Sequence, residues 1–272
     1  MADILRRSLA PITDDAWAEI DAQAITILNG NLSGRGVVDF DGPHGWEHGA
    51  VNLGELEAGK GEPVKGVAWS VRRVLPLIEI RVPFELSASD LDTIARGGKT
   101  PELAPVVEAA QKAALCEEQS IYGGFKKASI TGMLEASTNE PVALPQSADD
   151  YARSVEEGVH RIQAQGIGGP FELILGRKPY QVLAVGDGKG YPLKARVVDL
   201  LEGGGIRWSP ALAGGAIVSK RGGDFQLTVG QDFSVGYGGQ DGDALRFFIT
   251  ESYAFRVLEP AAAIELKASS GT

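Results

Sequence analysis

The chain has 272 residues, 43% hydrophobic and 23% charged, which supports a full core and excludes a disordered polymer. Its 36 glycines and 14 prolines imply many turns and argue against a helical bundle. A net charge of -10 is a poor footprint for sequence-independent nucleic-acid binding. Cys116 is the sole cysteine, so neither an internal disulfide nor a cysteine-based zinc cluster can form. Arg6 and Arg7 precede no apolar segment of signal-peptide length, and no apolar run approaches the roughly 18 residues of a membrane span. A cytoplasmic location is expected.

In chain order, Thr13 is placed to cap a helix that ends near Asn29, before Gly30. Trp17, Ile20, Ala24, Ile27 and Leu28 form its apolar stripe, and Asp14 and Asp15 suit its positive end. Residues 30–66 hold ten glycines and two prolines with little periodicity, an excursion too long to be a passive connection. Residues 67–86 alternate like strands, but Pro76 and Pro83 confine them to an edge or a projecting hairpin. Thr100-Pro101-Glu102 signals a helix running to about Ile121, and Ser147-Ala148-Asp149-Asp150 a second one ending at Gly166. A buried strand over 171–175, a short helix, a Gly-rich turn over 185–192 and a helix over 192–201 follow. The remainder reads as strands at 216–219, 224–237 and 245–258. This irregular alternation predicts an α+β fold.

No motif assembles a catalytic centre. Gly54 to Lys60 matches seven positions of a phosphate-binding loop, but Gly61 stands where a hydroxyl must be. His44 and His48 have zincin spacing among glycines and a proline that would break the required helix. Cys116, mid-helix beside Glu117 and Glu118, reads as a packing residue. The alternative, a small Ser/Cys hydrolase using Cys116 with His160, lacks an evident acid–base–nucleophile grouping. No enzyme activity, metal or cofactor is expected.

Several blocks together carry a resemblance. LRRSLAPIT before a tryptophan-bearing helix, GRGVVDFDGPHGWE, LPLIEIRVPF, AIVSKRGGDFQLTVGQDFSVGY and FFITESYAFRVLEP occur in order from Leu5 to about Leu266. They resemble the encapsulin shell proteins, the linocin-like family of bacterial nanocompartments. The resemblance implies a phage major capsid protein-like fold of the Hong Kong 97 type. Its parts would be an N-terminal lumen-facing helix and arm (1–47) and an extended loop (48–82) that pairs with a neighbouring subunit. A peripheral domain would take 83–134, 146–166 and 223–272, and an axial domain 135–145 and 167–222. It also implies an icosahedral homo-oligomer of about 60 copies or a multiple. The shell would enclose a ferritin-like protein or a dye-decolourising peroxidase, linked to iron storage or oxidative stress and recruited by the cargo's C-terminal targeting peptide. Arg35, Val38, Asp39, Asp232, Ser234 and Val235 are the implied docking residues, with an Arg35–Asp39 ion pair as the local alternative. Asp187, Gly188, Lys189 and Gly190 would line a five-fold pore. Some members hold a flavin on an aromatic residue; here that stretch reads SASDLDTI, with Ser89 offering no ring.

Overall fold

Thr13 takes extended backbone and its hydroxyl accepts the Ala16 N–H at 3.2 Å, opening α1 (Asp14–Asn31) at the expected residue. The computed structural model describes residues 3–99, 101–145, 148–185 and 192–268. Helix α1 passes through Gly30 instead of stopping before it, and the Leu32 N–H still reaches the Leu28 carbonyl. A mid-helix glycine costs only about 1 kcal/mol, which burial of Trp17, Ile20, Ala24 and Leu28 on one stripe outweighs.

The stretch over 30–66 is less irregular than its composition implies. It holds β1 (Asp39–Asp41) and β2 (Ala50–Ala58), and β2 pairs antiparallel with β3 (Ser70–Pro76) from Ala50↔Pro76 to Ala58↔Ser70. Most of this hairpin is exposed on both faces, so no burial period marks it in the sequence. Next come β4 (Ile78–Ser87) and α2 (Ala88–Ala95), a helix the sequence reading overlooks. Ser87 caps α2 by accepting the Asp90 N–H at 3.1 Å. The long α3 (Ala104–Tyr122) starts three residues beyond Pro101, where the Glu102 carboxylate accepts the Ala104 N–H at 2.8 Å.

The rest of the chain supplies α4 (Met133–Ala136), β5 (Val142–Leu144), α5 (Ala148–Ala164), β6 (Phe171–Leu175), α6 (Arg177–Val185) and α7 (Leu193–Leu200). Strands β7 (Ile206–Trp208), β8 (Gly215–Ser219), β9 (Phe225–Val229), β10 (Ser234–Asp241), β11 (Ala244–Val257) and β12 (Ala263–Ala268) complete it. The segment 224–237 is two strands, not one, because the chain turns at Gly230, which is pressed against Ser252 and Leu77.

Two five-stranded sheets organise these elements. The first has the order β1-β9-β11-β10, with β4 also paired to β11. Strand β4 is an edge strand, as the proline within it requires, with Pro83 opposite Phe248. Helices α1, α2 and α3 cover one face, where Trp17 meets Phe247 edge-on at 5.5 Å and Phe84 stacks on it at 5.5 Å. The alanine-rich face of α3 (Ala109, Ala110, Ala113, Ala114) lets α1 approach closely. The second sheet has the order β5-β12-β8-β6-β7. Helix α5 packs on it and on α7, and β12 is an interior strand between β5 and β8. Residues 146–166 and 223–272, expected in the peripheral part, thus contribute α5 and β12 to this layer. The apolar face of α5 (Tyr151, Val155, Val159, Ile162) is buried in the core of the second sheet, and Ile264 and Leu266 join it there. Strand β11 links the layers: Leu245, Phe247 and Ile249 enter one core, Tyr253 and Phe255 the other.

Candidate functional site

Where α1 ends, Gly34–Gly36 form a single 3₁₀ turn that carries Arg35 inward to the seam between the two cores. Its guanidinium bridges Glu117 of α3 (2.7 Å), Glu251 of β11 (2.5 Å) and Asp232 of the β9–β10 turn (2.9 Å). The Arg35 side chain is 19% exposed, while those of Glu117 and Glu251 are 0% exposed. The rings of Phe40 and Phe233 flank the guanidinium at 5.1 and 4.9 Å, giving cation–π contacts. Burial pulls the Arg35 guanidinium down, but the Glu117 hydrogen bond and charge, then Glu251, hold it above its ordinary value. Burial, followed by the Glu117 charge, holds the Glu251 carboxyl well above the usual carboxylate range, against the pull of Arg35. Glu251 Oε2 has no hydrogen-bond partner among the described residues.

A second buried carboxyl adjoins this cluster. Glu118 accepts from Ser33 Oγ (2.5 Å), the Gly34 N–H (2.6 Å) and Ser209 Oγ (2.7 Å), fixing the turn that presents Arg35. Burial raises the Glu118 carboxyl, and those hydrogen bonds oppose it.

Of the residues expected to form a docking patch, Arg35 and Asp232 meet directly, and Ser234 lies close by, donating to the Asp232 carbonyl at 2.8 Å. Asp39 does not pair with Arg35; its carboxylate accepts the Gly223 N–H at 2.6 Å. Val38 packs half-buried against the core of the second sheet. Val235 is 4% exposed and faces the α1–α3 core beside Ile249, so it lines no groove. Side chains alternate along β10, and a one-residue difference decides which face Val235 takes. The exposed apolar group beside Arg35 is Phe40, 40% exposed, while Phe233 is half-buried and packs against the α1–α3 core. Sequence reasoning missed both, although each is adjacent to a named residue. Glu117 and Glu118 were legible another way, since they stand four residues beyond the buried Ala113 and Ala114 on one helical face.

The remaining motifs stay apart. Residues 54–60 lie on and just beyond β2 with no helix after them, unlike a phosphate-binding loop. His44 hydrogen-bonds Asp41 at 2.8 Å and its ring lies 4.6 Å from that of His48. Among the described residues no group of three His, Cys, Asp or Glu could hold a metal ion. Cys116 Sγ lies 3.8 Å from the Tyr253 hydroxyl, whereas His160 is exposed on α5 over the other sheet, so the two form no dyad. Asp187, Gly188, Lys189 and Gly190 lie outside the described residues. No helix among the described residues is long and apolar enough to cross a membrane.

The two-sheet architecture with a long spanning helix and a projecting hairpin is that of viral capsid subunits. A virus-like particle protein from Pyrococcus furiosus superposes with a TM-score of 0.65 at 16% identity, covering 92% of this chain and 99% of its own. The capsid protein of the myovirus XM1 gives 0.56 at 13% identity, covering 88% and 92%. The fold is therefore of the Hong Kong 97 capsid type. Sequence comparison narrows this: the Linocin_M18 family, described as "Encapsulating protein for peroxidase", matches residues 2–254. The type 1 encapsulin shell protein of Rhodospirillum rubrum is 41% identical, covering 98% of this chain and 97% of that protein. That of Mycobacterium tuberculosis is 35% identical, covering 96% and 98%. The chain belongs to the encapsulin shell protein family.

Proposed function

We propose that this chain assembles into a closed icosahedral shell of about 60 copies or a multiple, a cytoplasmic container that encloses a cargo enzyme and is not itself a catalyst. The observation that carries the reading is the β2–β3 hairpin. Its Leu56 is 67% exposed, and Trp69, Val71 and Val74 are exposed with it. A two-stranded ribbon is at best marginally stable alone in water, and its apolar side chains and unpaired edges need a cover. A second copy of the chain supplies it, and closed symmetry extends the contact into a shell.

The cargo, a ferritin-like protein or a dye-decolourising peroxidase, docks by an extended C-terminal peptide on the surface formed by Phe40 and Phe233 around Arg35. The two rings offer apolar anchors, and Asp232 gives the rim a fixed charge. Many identical sites facing an oligomeric cargo convert modest affinity into avidity.

Deleting residues 53–73 and joining the cross-strand partners Asn52 and Val74 through two glycines tests the assembly. The shortened chain is expected to keep its circular dichroism and to elute as a small oligomer, while the full chain elutes as a particle. Intact particles of the shortened chain under negative stain refute the role given to the hairpin.

A further inference from the structure

Three carboxyls converge on one guanidinium nitrogen. Arg35 Nη2 lies 2.7 Å from Glu117 Oε2, 2.5 Å from Glu251 Oε1 and 2.9 Å from Asp232 Oδ1, although it carries only two hydrogens. Arg35 Nε is already engaged by Glu117, 3.0 Å from each oxygen. Fully ionised, the cluster would set three negative charges against one positive. Glu117 and Glu251 are 0% exposed, so water does not relieve the excess.

Two observations place a proton between these buried carboxyls. The Glu117 and Glu251 side chains hydrogen-bond each other, which two carboxyls can do only when one of them is protonated. Glu251 Oε2 is buried without a donor, a costly position for a carboxylate and a much cheaper one for a neutral carboxyl. The other ionisable groups on this side add no second cation: Cys116 and Glu118 of α3, and Tyr253 of β11. On β4, Ile80 stands opposite Glu251, so alternation turns Glu79 and Arg81 to the far face, where Arg81 covers Phe248.

Asp232 differs from the buried pair in reaching water, its side chain being 38% exposed. The β9–β10 turn that carries it is rooted on β11 through Gln231, whose N–H donates to Ser252 Oγ at 2.8 Å and whose carbonyl accepts the Ser252 N–H at 2.9 Å. Beyond Gln231, the turn is drawn to the cluster by the Asp232 charge and by the Phe233 ring, 4.9 Å from the guanidinium.

We propose that a proton shared by Glu117 and Glu251 switches this turn, an inference that rests on the docking surface at Arg35. With the proton bound, Glu251 accepts from Arg35 as a neutral oxygen, and the guanidinium charge is left to Glu117 and Asp232. The rim is then closed on the cluster. When the proton leaves, the Glu251 charge draws the guanidinium inward and repels Asp232, which turns to solvent and meets a lysine or arginine of the docking peptide. Burial and the Glu117 charge hold the Glu251 carboxyl high, so the rim is closed below the folded value and opens as pH rises through it. The coupling is reciprocal: a cation on Asp232 eases loss of the proton.

The test follows full-length particles, without cargo, from about pH 5 to about pH 9, a span that covers buried carboxyls. Infrared difference spectroscopy reads the protonated-carboxyl band, and hydrogen exchange with mass spectrometry reads the turn. The part of the band that Glu251→Gln removes should fade in the wild type as pH rises. Peptides covering 231–236 should lose protection with the same midpoint, after correction for intrinsic exchange, while those covering α5 keep theirs. In Glu251→Gln, which cannot ionise, 231–236 should stay protected throughout. Asp232→Asn should lower the midpoint by about one pH unit, because one facing charge is gone; a role in packing alone would leave it fixed. A band that Glu251→Gln does not change, protection of 231–236 independent of pH, or an unmoved midpoint in Asp232→Asn overturns the switch. Because these readouts need no cargo, unchanged cargo loading in Phe40→Ser and Phe233→Ala would overturn the docking surface and leave the switch of the turn standing.

Discussion

Replacing Arg35 by alanine removes the one cation from a cluster that contains two fully buried carboxyls, Glu117 and Glu251. Neither reaches water, and each loses its charge-assisted partner at 2.7 or 2.5 Å. Stripping one member from a buried ion pair costs about 3–5 kcal/mol. Most of that is the penalty on the carboxylate left behind. The Phe40 and Phe233 rings also lose the cation between them, worth about 0.5–1 kcal/mol where partly exposed. For a chain of this size each kcal/mol lowers the melting temperature by about 2–4 °C, so with both losses together Arg35→Ala should melt about 7–24 °C below the wild type. Differential scanning calorimetry of purified particles reads the shift directly. A variant carrying Arg35→Met, Glu117→Leu and Glu251→Leu should recover about half of the loss or more, because apolar side chains of similar volume replace buried ion clusters at little cost. If Arg35→Ala melts within about 2 °C of the wild type, the two carboxyls do not depend on the guanidinium, and the account of the cluster is wrong.

Three further outcomes follow from the same geometry. Glu251 has a raised carboxyl in the folded state, so its contribution to stability is full below the unfolded carboxyl value of about 4.3 and is lost as pH rises toward the folded value. Glu251→Gln should therefore gain melting temperature relative to wild type as pH goes from about 5 to 8; a constant difference across that range refutes it. Phe233→Ala and Phe40→Ser should leave particles intact and weaken a bound cargo peptide by about 10–100-fold, one apolar anchor being worth about 1.5–3 kcal/mol, as read by cargo per particle at limiting cargo. Thr13→Ala removes the cap of α1 and should cost about 1 kcal/mol, a fall of about 2–4 °C; no change in melting would mean the Ala16 N–H finds another acceptor.

Local chemistry was readable without coordinates wherever a segment's own residues settle its conformation. Thr13 with Asp14 and Asp15, the apolar stripe of α1, the buried run Phe171–Leu175 and the Pro83 that holds β4 to an edge each act over a few residues. Family blocks spread along the chain identified the fold because their order survives in the sequence. Other outcomes depended on which surfaces meet. Gly30 looked like a stop until packing of α1 outweighed its local cost. The β2–β3 hairpin has no burial period because this chain alone covers neither face. Helix α5 and strand β12 joined the second sheet because their apolar faces are buried there, a fact absent from their own patterns. The cluster around Arg35 shows the division most sharply. Arg35, Glu117, Asp232 and Glu251 are remote in sequence, and only the crossing of α3 and β11 at the seam between the cores brings their charges within hydrogen-bond range. Val235 and Phe233, two positions apart, both pack against the α1–α3 core; Phe233, in the β9–β10 turn, stays half-buried beside Arg35, while Val235 on the strand is buried.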